Sequence, residues 1–273
     1  MKLVRLLRRA IILLSVIALS SASASPQALT PNGEDGVAFM PAFFGMHVHK
    51  LDQVKWPSAP IGGLRLWDMA VSWEHLEPSP GQYDFERLDR FIGLANRFQL
   101  EVVLPIALTP QWASARPYEP SVYGPGKAAG PKDLRDWERF VNTLVKHTAG
   151  KVHAYEVWNE ANLPIFYTGD ISTLVEMTKL LYTAVQLHAP QAKVIGPSGA
   201  GLLDSRREFL RRFVDAGGAR WVHALSFHLY TSTHAPEVMI QPVRELMKVA
   251  ANSKDGGTPL WNTEAGYPVQ QGK

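Results

Sequence analysis

The stretch KVHAYEVWNE, residues 151–160, decides how the rest of the chain is read. Its body is apolar and rich in β-branched and aromatic residues, and it ends on two polar ones, Asn159 and Glu160. That is the form of a buried strand with its polar groups gathered at the C-terminal end. Six other runs share it: AFFGMHV (42–48), GGLRLWD (62–68), LEVVLPIAL (100–108), AKVIGPSG (192–199), HALSFHLYT (223–231) and PLWNTEA (259–265).

Amphipathic stretches separate the runs. Asp84 caps a helix with Leu88, Phe91, Ile92, Ala95 and Phe98 on one stripe. A second stripe holds Leu134, Trp137, Val141, Leu144 and Val145, closed by Gly150. Leu174, Met177, Leu181, Ala184 and Val185 form a third. Phe209, Leu210, Phe213 and Val214 precede Gly217 and Gly218, and Val243, Leu246, Met247 and Ala250 make a fifth. The 3.6-residue spacing predicts helices packed on the strands, with Trp73 and Trp137 in the core.

Strands joined by helical crossovers are parallel. Two architectures fit: an open doubly wound sheet and a (β/α)8 barrel. The first wants a glycine-rich phosphate loop after an early strand, and GMHVHK and WDMAVSWEH supply none. In a barrel, function sits where strands end. There the sequence places His47 and His49, Asp68, Asn159 and Glu160, His228 and Tyr230, and Glu264. The fold expected is α/β, a (β/α)8 TIM barrel over residues 41–273, with residues 25–40 a polar N-terminal loop segment. The seven runs account for strands one to seven. A complete barrel needs about 40 further residues for strand eight and its helices, whereas nine follow Glu264. The chain is therefore expected to be a fragment, incomplete at its C-terminus, poorly stable and weakly active alone.

Residues 1–24 read as a signal peptide: a basic MKLVRLLRR, a short apolar AIILLSVIAL, and small residues with cleavage after Ala24. The mature protein is then exported to the periplasm or beyond, without stable membrane insertion. The segment carries four basic residues and no acidic one. Of the chain's 28 basic and 25 acidic residues, the remainder keeps 24 and 25, a formal net charge of −1. The basic isoelectric point thus belongs to the leader and gives no support for nucleic-acid binding. With no cysteine there is no disulfide, thiolate metal site or lipoprotein anchor. The 46% hydrophobic content and abundant aromatic residues supply one sizeable core and platforms for sugar rings.

Glu160 ends the fourth run and Glu264 the seventh, on strands that face each other across a barrel mouth. Singly, each is an ordinary solvated acid. As a pair they match the chemistry of acetal cleavage, which needs one carboxyl to protonate the leaving oxygen and another to meet the oxocarbenium-like centre. The two must hold different protonation states at one pH, so their surroundings must differ.

The stretches RLWD (65–68), VSWEHLEPSPGQYDFERLD (71–89), LPIALTPQWA (104–113), EVWNEAN (156–162), SFHLY (226–230) and LWNTEAGY (260–267) resemble glycoside hydrolase clan A, the retaining (β/α)8 glycosidases. The likeness is greatest to family 39 and its bacterial exopolysaccharide-hydrolase relatives, with family 5 next. The resemblance implies Glu160 as acid/base, Glu264 as nucleophile and Asn159 as the hydrogen-bond partner of the sugar 2-hydroxyl. It implies a retaining, cofactor-free glycosidase acting on β-linked poly- or oligosaccharide, endo-acting and monomeric, with β-xylosidase-like exo action as the nearest variant. His228 and Tyr230 alternate onto one strand face toward the pocket, Tyr230 bonding Glu264 and His228 contacting substrate or supporting a carboxylate. Arg65, one pleat below the rim, needs an anion, and either Glu156 or Glu264 would serve. Trp112 is the candidate stacking platform. His49 is a substrate contact.

Two rivals remain at this stage. His47-Val48-His49 also begins the metal site of amidohydrolase-type barrels, where His228 would join them; the fifth run has no histidine to complete that set. A non-catalytic carbohydrate-binding barrel is the other.

Overall fold

The computed structural model describes residues 43–51, 53–56, 58–200, 203–230, 234–253 and 257–266. The leader and the N-terminal loop expected over residues 1–40 lie outside them. Seven strands follow in order: β1 (Gly45–His47), β2 (Gly63–Arg65), β3 (Glu101–Ile106), β4 (Ala154–Val157), β5 (Lys193–Ile195), β6 (Leu225–Tyr230) and β7 (Leu260–Gly266). Strands β1 to β5 pair in sequence order, each parallel to the next, and β6 pairs parallel with β7. Parallel bridges Ile195–Ala224 and Gly199–Phe227 carry the sheet from β5 to β6.

The sequential order has no switch point, which a doubly wound sheet requires. Curvature settles the matter. Seven strands laid flat would put β2 and β7 about 24 Å apart at ~4.8 Å per strand, yet Arg65 on β2 donates a 2.8 Å hydrogen bond to Glu264 on β7. The sheet therefore curls into a barrel wall, as in a (β/α)8 fold. Among the described residues β1 pairs only with β2 and β7 only with β6.

The helices fall where the stripes predict: α2 (Glu86–Arg97), α3 (Leu134–Thr148), α4 (Ile171–His188), α5 (Leu203–Asp215) and α6 (Ile240–Ala251), with a single turn α1 (Trp73–Leu76) after β2. Asp133 and Asp170 cap α3 and α4 with side-chain bonds to Arg135 N and Thr173 N, and Asp84 accepts from Glu86 N just ahead of α2. None of the described helices is long and apolar enough to cross a membrane. Two stripe residues depart from expectation. Phe98, past the end of α2, is largely exposed and stacks flat on Trp56 at 4.1 Å. Met247 is also exposed; α6 buries Leu246 and Ala250 and packs Val243 and Val249 on the core.

Strand alternation sorts the core into two parts. Leu64, Leu104, Tyr155, Val157, Val194, Leu225, Phe227 and Leu229 face the helices and are buried there. The inner face carries His47, Arg65, Glu156, Ser226 and His228, so the barrel interior near the mouth is polar. The outer layer is anchored at Trp73, which is fully buried, lies 5.2 Å from both Trp137 and Phe140, and donates its indole N–H to Glu77. Trp73→Ala should lower unfolding free energy by about 3–5 kcal/mol, the usual cost of emptying a large aromatic site. Denaturant titration followed by circular dichroism measures it.

Candidate active site

Arg65 enters the barrel from the end of β2 with almost no exposure and meets partners from three other strands, β4, β6 and β7. Its Nε donates to Glu156 Oε2 at 2.7 Å, Nη1 to Glu264 Oε2 at 2.8 Å, and Nη2 to Asn159 Oδ1 at 2.8 Å. Nη2 also lies 3.4 Å from His228 Nε2. The two anions weighed for Arg65 in the sequence are thus both its partners. Glu156 is fully buried and takes further hydrogen bonds from Ser226 Oγ at 3.0 Å and Thr263 Oγ1 at 2.8 Å. Burial pushes its pKa up, but Arg65, His228 and these bonds outweigh burial, so it stays ionised below the usual carboxylate range.

Arg65 has only donors, so in the neutral imidazole His228 Nε2 accepts and Nδ1 carries the proton. Nδ1 lies 2.9 Å from Glu160 Oε1 and donates to it. The same nitrogen is 3.9 Å from Glu264 Oε2. Tyr230 donates to the other Glu264 oxygen. Its ring rests against Gly266, where a Cβ would come within 2.7 Å of it. Burial pushes the Tyr230 hydroxyl up, and bonding to the Glu264 carboxylate adds to that, so it remains a neutral donor. At Glu264 burial also pushes upward, but His228 when protonated, the Tyr230 hydroxyl, Arg65 and His47 together hold the carboxyl below its ordinary range. Glu264 is therefore an oriented anion with a donor on each oxygen.

The end of β4 is bent to present Glu160. Trp158 and Glu160 both have left-handed backbone, φ +60° and +45°, which costs a non-glycine residue about 1–2 kcal/mol. The turn is held by the buried Trp158 indole, donating to Phe166 O at 2.8 Å, and by Ser198, whose hydroxyl accepts from Glu160 N at 3.0 Å. Asn159 Oδ1 is fixed by Arg65, which leaves its amide nitrogen to donate toward a ligand.

A cavity of about 220 Å³ is lined by Trp67, Asp68, His75, Pro105, Leu108 and Tyr123, among others. Asp68 on its wall feels the charges of His49, Glu264 and Arg65. Burial raises the Asp68 carboxyl, and Tyr123 donates to it at 3.4 Å. Tyr123 carried no sequence signal beyond its type.

Other expected site residues land differently. His47, rather than His49, reaches the centre, with Nδ1 3.8 Å from Glu264 Oε2. His49 stands behind it, ring centroids 4.3 Å apart. Trp112 turns into the wall: its indole donates to Glu77 O at 3.1 Å and its ring meets Trp73 edge-on at 6.2 Å. Those contacts anchor the half-buried ring to the wall. The rival histidine set is not assembled either. The group that comes within metal-binding range among the described residues is Glu160, His228 and Glu264, with ligand atoms within 4.8 Å of one another, and it includes neither His47 nor His49. Arg65 beside Nε2 keeps the proton on Nδ1 of His228, which suits a hydrogen bond to Glu160 better than a metal bond.

The chain is similar in structure to the GH39 enzyme from Xanthomonas axonopodis pv. citri, with TM-score 0.60 and 21% identity over 76% of this chain and 46% of that one. It is also similar to a monomeric beta-xylosidase from Caulobacter crescentus CB15, with TM-score 0.62 and 19% identity over 87% and 54%. The likeness shows a (β/α)8 barrel fold. Within this fold, xylanase 10B from Thermotoga maritima matches with TM-score 0.57 and 14% identity over 84% of this chain and 72% of that one. The chain spans about half the length of the family 39 structures. A glycoside hydrolase 42 family model, described as beta-galactosidase, matches residues 63–121. No curated protein sequence matches significantly. In this barrel, β4 and β7 bring Glu160 and Glu264 to one mouth.

Burial, then the charges of Arg65 and His49, push His47 down from 6.5 to about 4. Between those values the unfolded chain takes up a proton that the folded site refuses, so this contribution to stability falls as pH drops from 6.5 toward 4. His47→Gln should flatten the dependence between about pH 7 and about pH 4.5, read by urea unfolding at each pH.

Proposed function

We propose that this chain hydrolyses β-linked oligo- or polysaccharides with retention, as the barrel of an exported, monomeric glycosidase, with Glu160 as acid/base and Glu264 as nucleophile. The observation that supports this most is the proximity of the pair: an oxygen of each carboxylate lies within 4.8 Å of one on the other. That is close enough for both carboxyls to act on one acetal bond, as the retaining mechanism requires. The likeness to a beta-xylosidase and a xylanase favours a β-linked, pentose-containing substrate. Export rests on residues 1–24.

The geometry supports each step. Glu264, anionic and fixed by Arg65 and Tyr230, attacks the anomeric carbon. Glu160 gives its proton to the departing glycosidic oxygen, so the C–O bond breaks as the glycosyl–Glu264 ester forms. The Asn159 amide is free to bond the 2-hydroxyl. His228 Nδ1–H holds Glu160 Oε1, which directs the other carboxyl oxygen to the leaving group. A water then enters, Glu160 takes its proton, and hydroxide displaces Glu264 with a second inversion.

Glu160→Gln and Glu264→Gln should each lower kcat by at least about a hundredfold, measured on 4-nitrophenyl β-xyloside and on β-linked polysaccharides with product sizing. Azide should restore turnover to Glu264→Gly with a product of inverted configuration. Normal rates in both glutamine variants would end this reading.

A further inference from the structure

In an ordinary strand, consecutive side chains point to opposite faces. In β7 they do not. Ser226 pairs with Trp261 and Phe227 with Asn262, but His228 pairs with Glu264, so Thr263 is an extra residue in the ladder. Without that bulge Thr263 would sit opposite His228, and Glu264 would sit opposite Leu229, facing the helices. With it, Thr263 and Glu264 both face the barrel interior: Thr263 Oγ1 donates to Glu156 Oε1 at 2.8 Å while Glu264 Oε2 accepts from Arg65 at 2.8 Å. Exposure follows the same break, with Asn262 and Ala265 exposed and both residues between them covered.

The bulge is clamped from both sides. Inside, Ser226 and Thr263 hydroxyls, 3.0 Å apart, both donate to the buried Glu156 carboxylate, which Arg65 also holds. Outside, the Asn262 amide nitrogen, in the orientation that suits its neighbours, donates to Phe227 O at 3.1 Å and to Glu264 O at 2.8 Å. These two carbonyls flank the extra residue. Bulges are known to re-aim side chains beside active sites, and here the residue re-aimed is Glu264.

We propose that Thr263, tied to Glu156 and Ser226, is a positioning residue whose hydroxyl locks the β7 bulge and thereby sets the carboxylate of Glu264 between Arg65 and Tyr230. This rests on the reading of Glu264 as nucleophile for its kinetic consequence. The placement itself can be tested without turnover. Thr263→Val keeps the shape of the side chain and removes the hydroxyl; Thr263→Ser keeps the hydroxyl. Carbon-13 NMR of glutamate carboxyls, with Glu264 assigned by its loss in Glu264→Gln, follows the site directly. In Thr263→Val the Glu264 carboxyl should titrate at higher pH than in the wild type, because it no longer sits in reach of its donors. Thr263→Ser should leave it in place.

On a substrate the wild type cleaves, Thr263→Val should lower kcat by about tenfold to a hundredfold with KM little changed, and move the acid limb of the kcat/KM profile to higher pH; Thr263→Ser should restore both. A Thr263→Val protein with a lowered melting temperature but an unmoved Glu264 titration would make Thr263 a merely structural residue and overturn the proposal. If Glu264→Gln stays active while the titration moves as described, the nucleophile assignment fails and the positioning device stands.

Discussion

The guanidinium of Arg65 lies inside the barrel with carboxylates on two sides, and much of the site hangs on that contact. A charge taken out of water there is tolerable only when paired and fully hydrogen-bonded. Glu156 on β4 and Glu264 on β7 supply the opposite charge, and Asn159 supplies a further acceptor. Because its partners come from strands that would be far apart in a flat sheet, the ion cluster also ties the curled wall across its interior. Removing either anion would leave Arg65 under-compensated, which is costlier than never having buried the group.

The same cluster holds the two carboxyls in different ways. Glu264 has a cation on one oxygen and the Tyr230 hydroxyl on the other, and is held as an anion. Glu160 lacks a direct bond to Arg65 and meets it only through the His228 ring, whose two nitrogens face Arg65 and Glu160. One imidazole thus links the position of the buried cation to that of the second carboxyl. Left-handed backbone at Trp158 and Glu160 adds a little stored strain at the rim, kept by the buried Trp158 and by Ser198.

Much of this was legible in the residues. Seven apolar runs ending in polar groups, separated by 3.6-period stripes, point to a parallel α/β fold, and the observed strands and helices follow them. The step of two between His228 and Tyr230 placed both on one face, and both do meet a glutamate there. The failures are of one kind. Phe98 and Met247 fit their helical stripes, yet the neighbours at those positions do not close over them. Trp112 follows the third run, where the short 3-10 turn over Gln111–Ala113 sets its indole against Trp73 and Glu77, contacts with no local signal. His47 and His49 are equivalent by spacing; the structure sets His47 near Glu264 and packs the His49 ring beside it.

What the sequence by itself determined was periodicity: which segments are strands or helices, which face of each is apolar, and that two glutamates end facing strands. Those features are local, set by side-chain type and spacing along one segment. The tertiary structure decided everything that depends on two segments at once. Arg65 bonds both candidate anions because the barrel curls far enough to bring β2, β4 and β7 around one guanidinium. Glu264 faces inward because β7 carries one residue more than β6 between two pairing points. That count exists in neither strand alone, since register is a relation between strands. Simple alternation along LWNTE puts Thr263 and Glu264 on opposite faces, and only the pairing with β6 puts them on the same one.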